Sequence, residues 1–173
     1  MKKPTDPDLT HGSARPPGRP PGNRGLRVLF DASALAKRYA SESGRDRVLA
    51  LFGEAGELLV AAHCQSEVAS ALLRRRREGH LPMGEFDRAW AAAQRDVADM
   101  VCIPLDRHVE RFTFAAMEYG SLPTMDALHV GSALAADVDL FVTADRRQAK
   151  AARGLGLQTE CLDTEPDIFQ KSL

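Results

Sequence analysis

Leu26-Arg27-Val28-Leu29-Phe30-Asp31-Ala32-Ser33 is an abrupt apolar run that ends on a carboxylate and a hydroxyl. Residues 26–30 predict a short buried strand with an acid at its carboxyl end. Outward from it, Leu58–Ala61, Val101–Leu105, Leu140–Thr143 and Leu157–Leu162 read as further strands, and Pro104 marks an end or a sheet edge. Between them, helical spacing covers Ser33 to about Ala40, Gly44 to Glu54, Cys64 to Glu78, Met83 to Met100, Arg107 to Glu118, Met125 to Ala136 and Arg146 to Arg153. Strands alternating with helices predict an α/β domain with a mainly parallel sheet.

The strand at 26–30 also separates two compositions. Residues 1–25 hold six of the ten prolines and little large apolar surface beyond Leu9. Such a stretch buries too little to offset its chain entropy, so it is expected to be a disordered tail, with residues 26–173 as the folded domain. The tail carries +3, which leaves the body with 18 basic and 22 acidic residues, a net −4. The whole chain is 173 residues with 44% hydrophobic and 27% charged residues, enough for one core and unlike a basic nucleic-acid coat. No apolar run is long enough for a transmembrane helix, and no secretory leader is visible. Cys64, Cys102 and Cys161 are odd in number and widely spaced, which suits reduced thiols and a cytoplasmic location.

In an open parallel sheet, ligands bind beyond the carboxyl ends of the strands. Asp31 follows the first strand and Asp145 the strand 140–143. Glu67 and Asp126 fall in the first turns of helices. Four acids on four segments could therefore meet at one edge, and crowded carboxylates call for a compensating cation such as Mg²⁺ or Mn²⁺. Each acid also has a plain role. Asp31, Ser33 or Asp145 could cap helices, Asp126 could complement a helix dipole, and Glu67 could sit on a solvated face. Asp106 and Asp163 read as caps.

The motifs are nevertheless familiar. Asp31-Ala-Ser33-Ala-Leu-Ala-Lys37-Arg38-Tyr39, Ser66-Glu67-Val-Ala-Ser-Ala-Leu, Asp126-Ala-Leu-His129 and Thr143-Ala-Asp145 occur in this order. Together they resemble the four acidic motifs of PIN-domain ribonucleases of the VapC toxin type, over about residues 26–165. The resemblance implies a three-layer α/β/α sandwich and a metal-dependent endoribonuclease, usually the toxin of a toxin–antitoxin pair, leaving 5′-phosphate and 3′-hydroxyl ends. Carried over by position, Asp31, Glu67, Asp126 and Asp145 form the catalytic site. Asp31 and Asp126 would be the metal ligands, with Glu67 and Asp145 binding through water or holding a second ion. Ser33 and Thr143 would orient a carboxylate or contact phosphate. Gly131 departs from the larger residues common beside the third motif. No histidine is needed for the chemistry, and His129 reads as a packed helix residue.

An acidic site needs cations nearby to hold RNA. Lys37, Arg38, Arg74, Arg75 and Arg146 are the candidates, although Arg74 to Arg77 sweep around their helix and cannot all face one substrate. The body's net negative charge suits a basic antitoxin segment, and the resemblance implies a homodimer. Leu35, Leu49, Leu51 and Phe52 could line such a surface or form core. Two other readings compete with the nuclease: a non-catalytic PIN-fold module that binds RNA or protein, and an α/β phosphohydrolase acting on small substrates.

Overall fold

Alternate side chains of the first strand, β1 (Leu26–Phe30), point to opposite faces of the sheet, and each face meets its own layer of helices. The structure is a computed structural model that describes residues 25–163. The expected tail, apart from Gly25, lies outside the described residues, as do residues 164–173. Along the described chain follow α1 (Ala32–Lys37), α2 (Arg45–Glu54), β2 (Ala55–Ala61), α3 (Cys64–Arg77), α4 (Met83–Ala98), β3 (Val101–Ile103), α5 (Arg107–Gly120), α6 (Thr124–Ala135), β4 (Leu140–Thr143), α7 (Arg146–Gly154) and β5 (Thr159–Cys161).

The five strands form one parallel sheet in the order β3-β2-β1-β4-β5. In register, Leu29 stands beside Leu59 of β2 and Phe141 of β4. Val28, Phe30, Val60 and Val142 pack with α1–α4 through Leu35, Val48, Leu51, Val68, Leu72 and Ala93. Leu29, Leu59 and Phe141 pack on the other side with α5–α7 through Val109, Ala116, Val130, Ala133 and Ala152. The architecture is therefore the three-layer α/β/α sandwich. Leu35 and Leu51 are wholly buried and Phe52 packs half-buried against the first core, whereas Leu49 is half-buried outside both cores.

Element ends shift for local reasons. The first helix stops at Lys37 rather than near Ala40, because Arg38 and Tyr39 donate to the carbonyls of Leu35 and Ala36, the tighter i→i−3 pattern of a closing turn. The third strand ends at Ile103, since Pro104 has no N–H for a ladder. The second strand begins at Ala55, earlier than the apolar run, because Leu26 pairs with Ala55 in register. The last strand narrows to Thr159–Cys161 at the sheet edge.

Gly131 is explained by packing. A Cβ there would lie 2.7 Å from the backbone nitrogen of Thr113 and 2.9 Å from its Cα, so α5 and α6 approach through this glycine. All three cysteines are free thiols.

Candidate active site

The chain moves outward in opposite directions from β1 and β4, which are neighbours in the middle of the sheet. At such a switch point the connections leave to either side and open a crevice at the carboxyl ends of the strands. Asp31 ends β1 and Asp145 follows β4, while α3 and α6 bring Glu67 and Asp126 in their first turns. All four acids, with Ser33, Ser70, Arg74, His129 and Gln148, line one cleft of about 260 Å³.

Asp31 is almost wholly buried at 1% exposure. Its Oδ1 accepts from the Ala34 amide at 2.7 Å and so caps α1. Its Oδ2 accepts from Thr143 Oγ1 at 2.7 Å, and Ser33 Oγ stands 2.8 Å from both carboxylate oxygens. The two hydroxyls are themselves held, Thr143 by the Asp145 amide and Ser33 by the Ala144 amide, each at 2.9 Å. Capping and site roles are thus compatible, because a carboxylate has two oxygens. Asp145 repeats the pattern: Oδ1 caps α7 by accepting from Arg147 and Gln148 amides. Asp106 caps α5, as read from the sequence.

Burial raises the Asp31 carboxyl above its ordinary value, and the nearby His129 and the hydrogen bonds from Ala34, Thr143 and Ser33 only partly oppose it. Asp126 is raised by burial and by the negative charges of Asp145 and Glu67. Glu67 behaves differently. Burial alone would raise it, but the His129 hydrogen bond at 2.6 Å and the two histidines outweigh burial and hold it below the usual value. His129 is packed in α6 as expected, at 1% exposure, yet it also reaches the site through Glu67.

The cationic candidates divide. Arg74 lines the acidic cleft. A second groove of about 570 Å³ shares Ser33, Ala71, Arg74 and Asp145 with that cleft and continues past Lys37, Arg75, Arg146 and Arg147. Lys37 is buried there, with Nζ 2.9 Å from the Asp163 carboxylate and 3.1 Å from the Ser43 carbonyl. Arg75 pairs with Glu42, and Arg146 donates to the Asp163 carbonyl at 3.0 Å. Arg38 does not line either space: it bonds Asp96 at 2.6 Å and stacks 4.1 Å over Phe52.

Sequence reasoning missed Arg147, whose exposed guanidinium lies 4.0 Å from Asp126 and 3.8 Å from Asp145. It also missed His63, one turn before Glu67, with Nε2 at 3.6 Å from the Glu67 carboxylate. The i,i+4 spacing to Glu67 was the available signal for His63. Arg147 had none beyond its place next to a motif.

A PIN domain, by the description of the family model, matches residues 28–154, and the chain belongs to that family. No curated protein sequence matches it. Among solved structures, a Pyrobaculum aerophilum protein, PAE2754, is similar at TM-score 0.58 and 19% identity, over 78% of this chain and 83% of that one. VapC20 of Mycobacterium tuberculosis, described as a sarcin-ricin loop cleaving toxin, is similar at 0.55 and 16%, over 72% and 94%. VapBC2 from Rickettsia felis, bound to a DNA fragment from its promoter, gives 0.56 and 12%, over 80% and 100%. At these identities the likeness is one of fold.

The donor set suits a hard divalent ion. Asp31, Asp126, Asp145 and Glu67 offer oxygen atoms, burial raises two of these carboxyls, and Asp126 is raised further by its acidic neighbours, so a bound cation would relieve their crowding.

Proposed function

We propose that the chain is a metal-dependent endoribonuclease, the toxin of a toxin–antitoxin pair, that hydrolyses RNA phosphodiesters. The observation that carries this reading is the convergence of four carboxylates from four separate segments in one cleft at the switch point of the sheet. A structural role would not need four, and intact acids at every position favour a catalyst over a module that only binds. Asp31 and Asp126 are the proposed ligands of Mg²⁺ or Mn²⁺, with Glu67 and Asp145 beside them. When bound, such an ion lowers the pKa of a coordinated water and polarises a phosphoryl oxygen.

The protein's own part is to hold and orient. Ser33 and Thr143 fix the rotamer of Asp31, and the amides of Ala144 and Asp145 fix those hydroxyls in turn. Arg74 stands at the cleft wall, where its charge attracts the RNA backbone to an otherwise repulsive site. The groove that continues past Arg75, Arg146 and Arg147 extends that attraction along the strand. Short ion pairs and hydrogen bonds already engage Lys37, Arg38 and Arg75, whereas Arg147 is exposed and stands 3.8–4.0 Å from its acids, so Arg74 and Arg147 carry more of the proposed RNA contact than those three.

The partner reading rests on the neighbours of this fold. One neighbour is described as a toxin–antitoxin complex from Klebsiella pneumoniae, and VapBC2 as bound to a DNA fragment from its promoter. A cognate antitoxin with a basic segment suits the acidic cleft here, and a homodimer and a cytoplasmic location accompany the reading. Among the described residues no helix is long and apolar enough to cross a membrane. Residues 1–25 are proposed to lie outside the nuclease domain.

The test is cleavage of structured RNAs by partner-free protein, with Mg²⁺ or Mn²⁺ and with EDTA, beside Asp31→Asn and Asp126→Asn. Metal-dependent cutting lost in both variants is expected. Cutting that survives both variants would sink the proposal.

A further inference from the structure

At the wall of the cleft formed by α3 and α6, the donor chemistry changes from oxygen alone to nitrogen and oxygen. His63 precedes α3, Glu67 lies in its first turn, and His129 projects from α6. One ligand atom from each lies within 4.8 Å of the other two. The His129 Nε2 to Glu67 Oε2 distance is 2.6 Å, and the His63 Nε2 to Glu67 Oε2 distance is 3.6 Å. The two imidazoles are 4.3 Å apart between ring centroids. The His63 Nε2 is buried without any hydrogen-bond partner, as is the His129 Nδ1.

We propose that His63, Glu67 and His129 form a second cation site, one that takes a borderline divalent ion such as Zn²⁺ in preference to Mg²⁺. Three features support this beyond the proximity of the groups. First, a buried ring nitrogen without a partner is costly unless something uses its lone pair, and a metal ion does so. Second, the Nε2 atoms of both rings converge on one oxygen, Glu67 Oε2, at 3.6 Å for His63 and 2.6 Å for His129. Third, two imidazoles and one carboxylate make a three-ligand zinc set, with the fourth position left to water. Imidazole nitrogen favours Zn²⁺ and its neighbours in the first transition row, whereas Mg²⁺ keeps to oxygen.

Ordinary packing does not account for the cluster as well. A histidine that only positioned Glu67 would be needed once, and His129 already does this at 2.6 Å. A second imidazole tilted against it with an unpartnered nitrogen adds desolvation without adding a hydrogen bond. A metal ion at His129 Nε2 replaces the hydrogen-bond contact that this atom makes with Glu67. Glu67 belongs to both donor sets. On the nuclease reading, which this consequence alone rests on, occupation of the nitrogen-rich site withdraws Glu67 from the acidic cleft and inhibits cleavage.

The experiment uses the full chain without a histidine tag, and Co²⁺ as a visible stand-in for Zn²⁺. The expected result is one Co²⁺ per chain with the intense visible absorption of a four-coordinate, imidazole-bound ion, displaced by Zn²⁺. His63→Gln should weaken Zn²⁺ binding by calorimetry at least about tenfold, while Asp126→Asn and Asp145→Asn keep both the spectrum and the affinity. Thermal melting checks that each variant is folded, and His63→Asn replaces His63→Gln if the latter is not. A weak six-coordinate spectrum, binding indifferent to His63, or binding lost with Asp126 would overturn the site, since the ion would then lie among the acids. Failure of RNA cleavage alone, with the Co²⁺ spectrum present, would count against the nuclease reading and leave the metal site standing.

Discussion

The two ends of β1 each bury a charged side chain, four residues apart, and treat it in opposite ways. At the amino end, Arg27 is 3% exposed and heavily partnered. Its Nε bonds Glu57 at 2.6 Å, and its Nη1 donates to the carbonyls of Ala136 at 2.6 Å and Asp137 at 3.3 Å, while its backbone amide bonds Asp139. At the carboxyl end, Asp31 is 1% exposed and meets only hydroxyls and an amide, with more acids around the same cleft. A buried charge matched by an opposite charge and carbonyls ties β1 to β2 and to the loop before β4. A buried charge left without a matching cation keeps its capacity for a ligand. The contrast separates a structural buried ion from a functional one on the same strand.

The comparison can be broken most severely at the amino end. Arg27→Met leaves Glu57 unpaired and should cost about 3 kcal/mol in urea unfolding, the lower end for a broken buried pair, because Glu57 keeps some solvent contact. Unchanged stability would mean that this end is not a staple. At the carboxyl end the effect should move from stability to activity. Asp31→Asn should lower metal-dependent cleavage by about 100-fold or more, beyond the loss typical of outer-shell groups, and leave the unfolding midpoint equal or higher. A fall in stability comparable to that of Arg27→Met would erase the distinction.

A third expectation concerns the frame behind the cleft. Gly131→Ala forces a methyl group against the Thr113 backbone and should cost about 1–3 kcal/mol by overpacking, read from thermal unfolding.

The pH dependence sharpens the contrast further. Asp31 and Asp126 have raised folded-state values, so between their ordinary value of 3.8 and the raised ones the folded state binds more protons than the unfolded state. Their contribution to stability is therefore present at acid pH and declines as pH rises through that window. Glu67 has the opposite sign. Its contribution is present above its ordinary 4.5 and is lost as pH falls through its depressed value. Urea midpoints measured upward from pH 4 should show a smaller decline in Asp126→Asn than in the parent protein, and an unchanged slope would refute this assignment. The smallest effect should come from Arg147→Ala, since that guanidinium is exposed and 3.8–4.0 Å from its acids. Stability should change by less than about 0.5 kcal/mol, and Mn²⁺ should bind more tightly by less than about fivefold in calorimetry.

Most of the framework was legible in local pattern. The run 26–30, the alternation of strands with helices, and the acids next to strand ends are short-range signals, since burial period and capping act within a few residues. The sequence by itself therefore determined the α/β class, the parallel sheet and the four carboxylates worth following. Tertiary structure decided what depends on side chains distant along the chain. Only the strand order puts Asp31 and Asp145 at one switch point. Only the folded sheet, which brings the start of α3 on one face and of α6 on the other to the same edge, joins Glu67 to His129, 62 residues on. Lys37 and Arg38 sit within the first motif, yet Asp163 and Asp96 claim their charges. Gly131 looked like a departure and proves to be where α5 and α6 touch. Charge pairing and close approach act through space, so a local pattern carries no trace of them until the chain has folded.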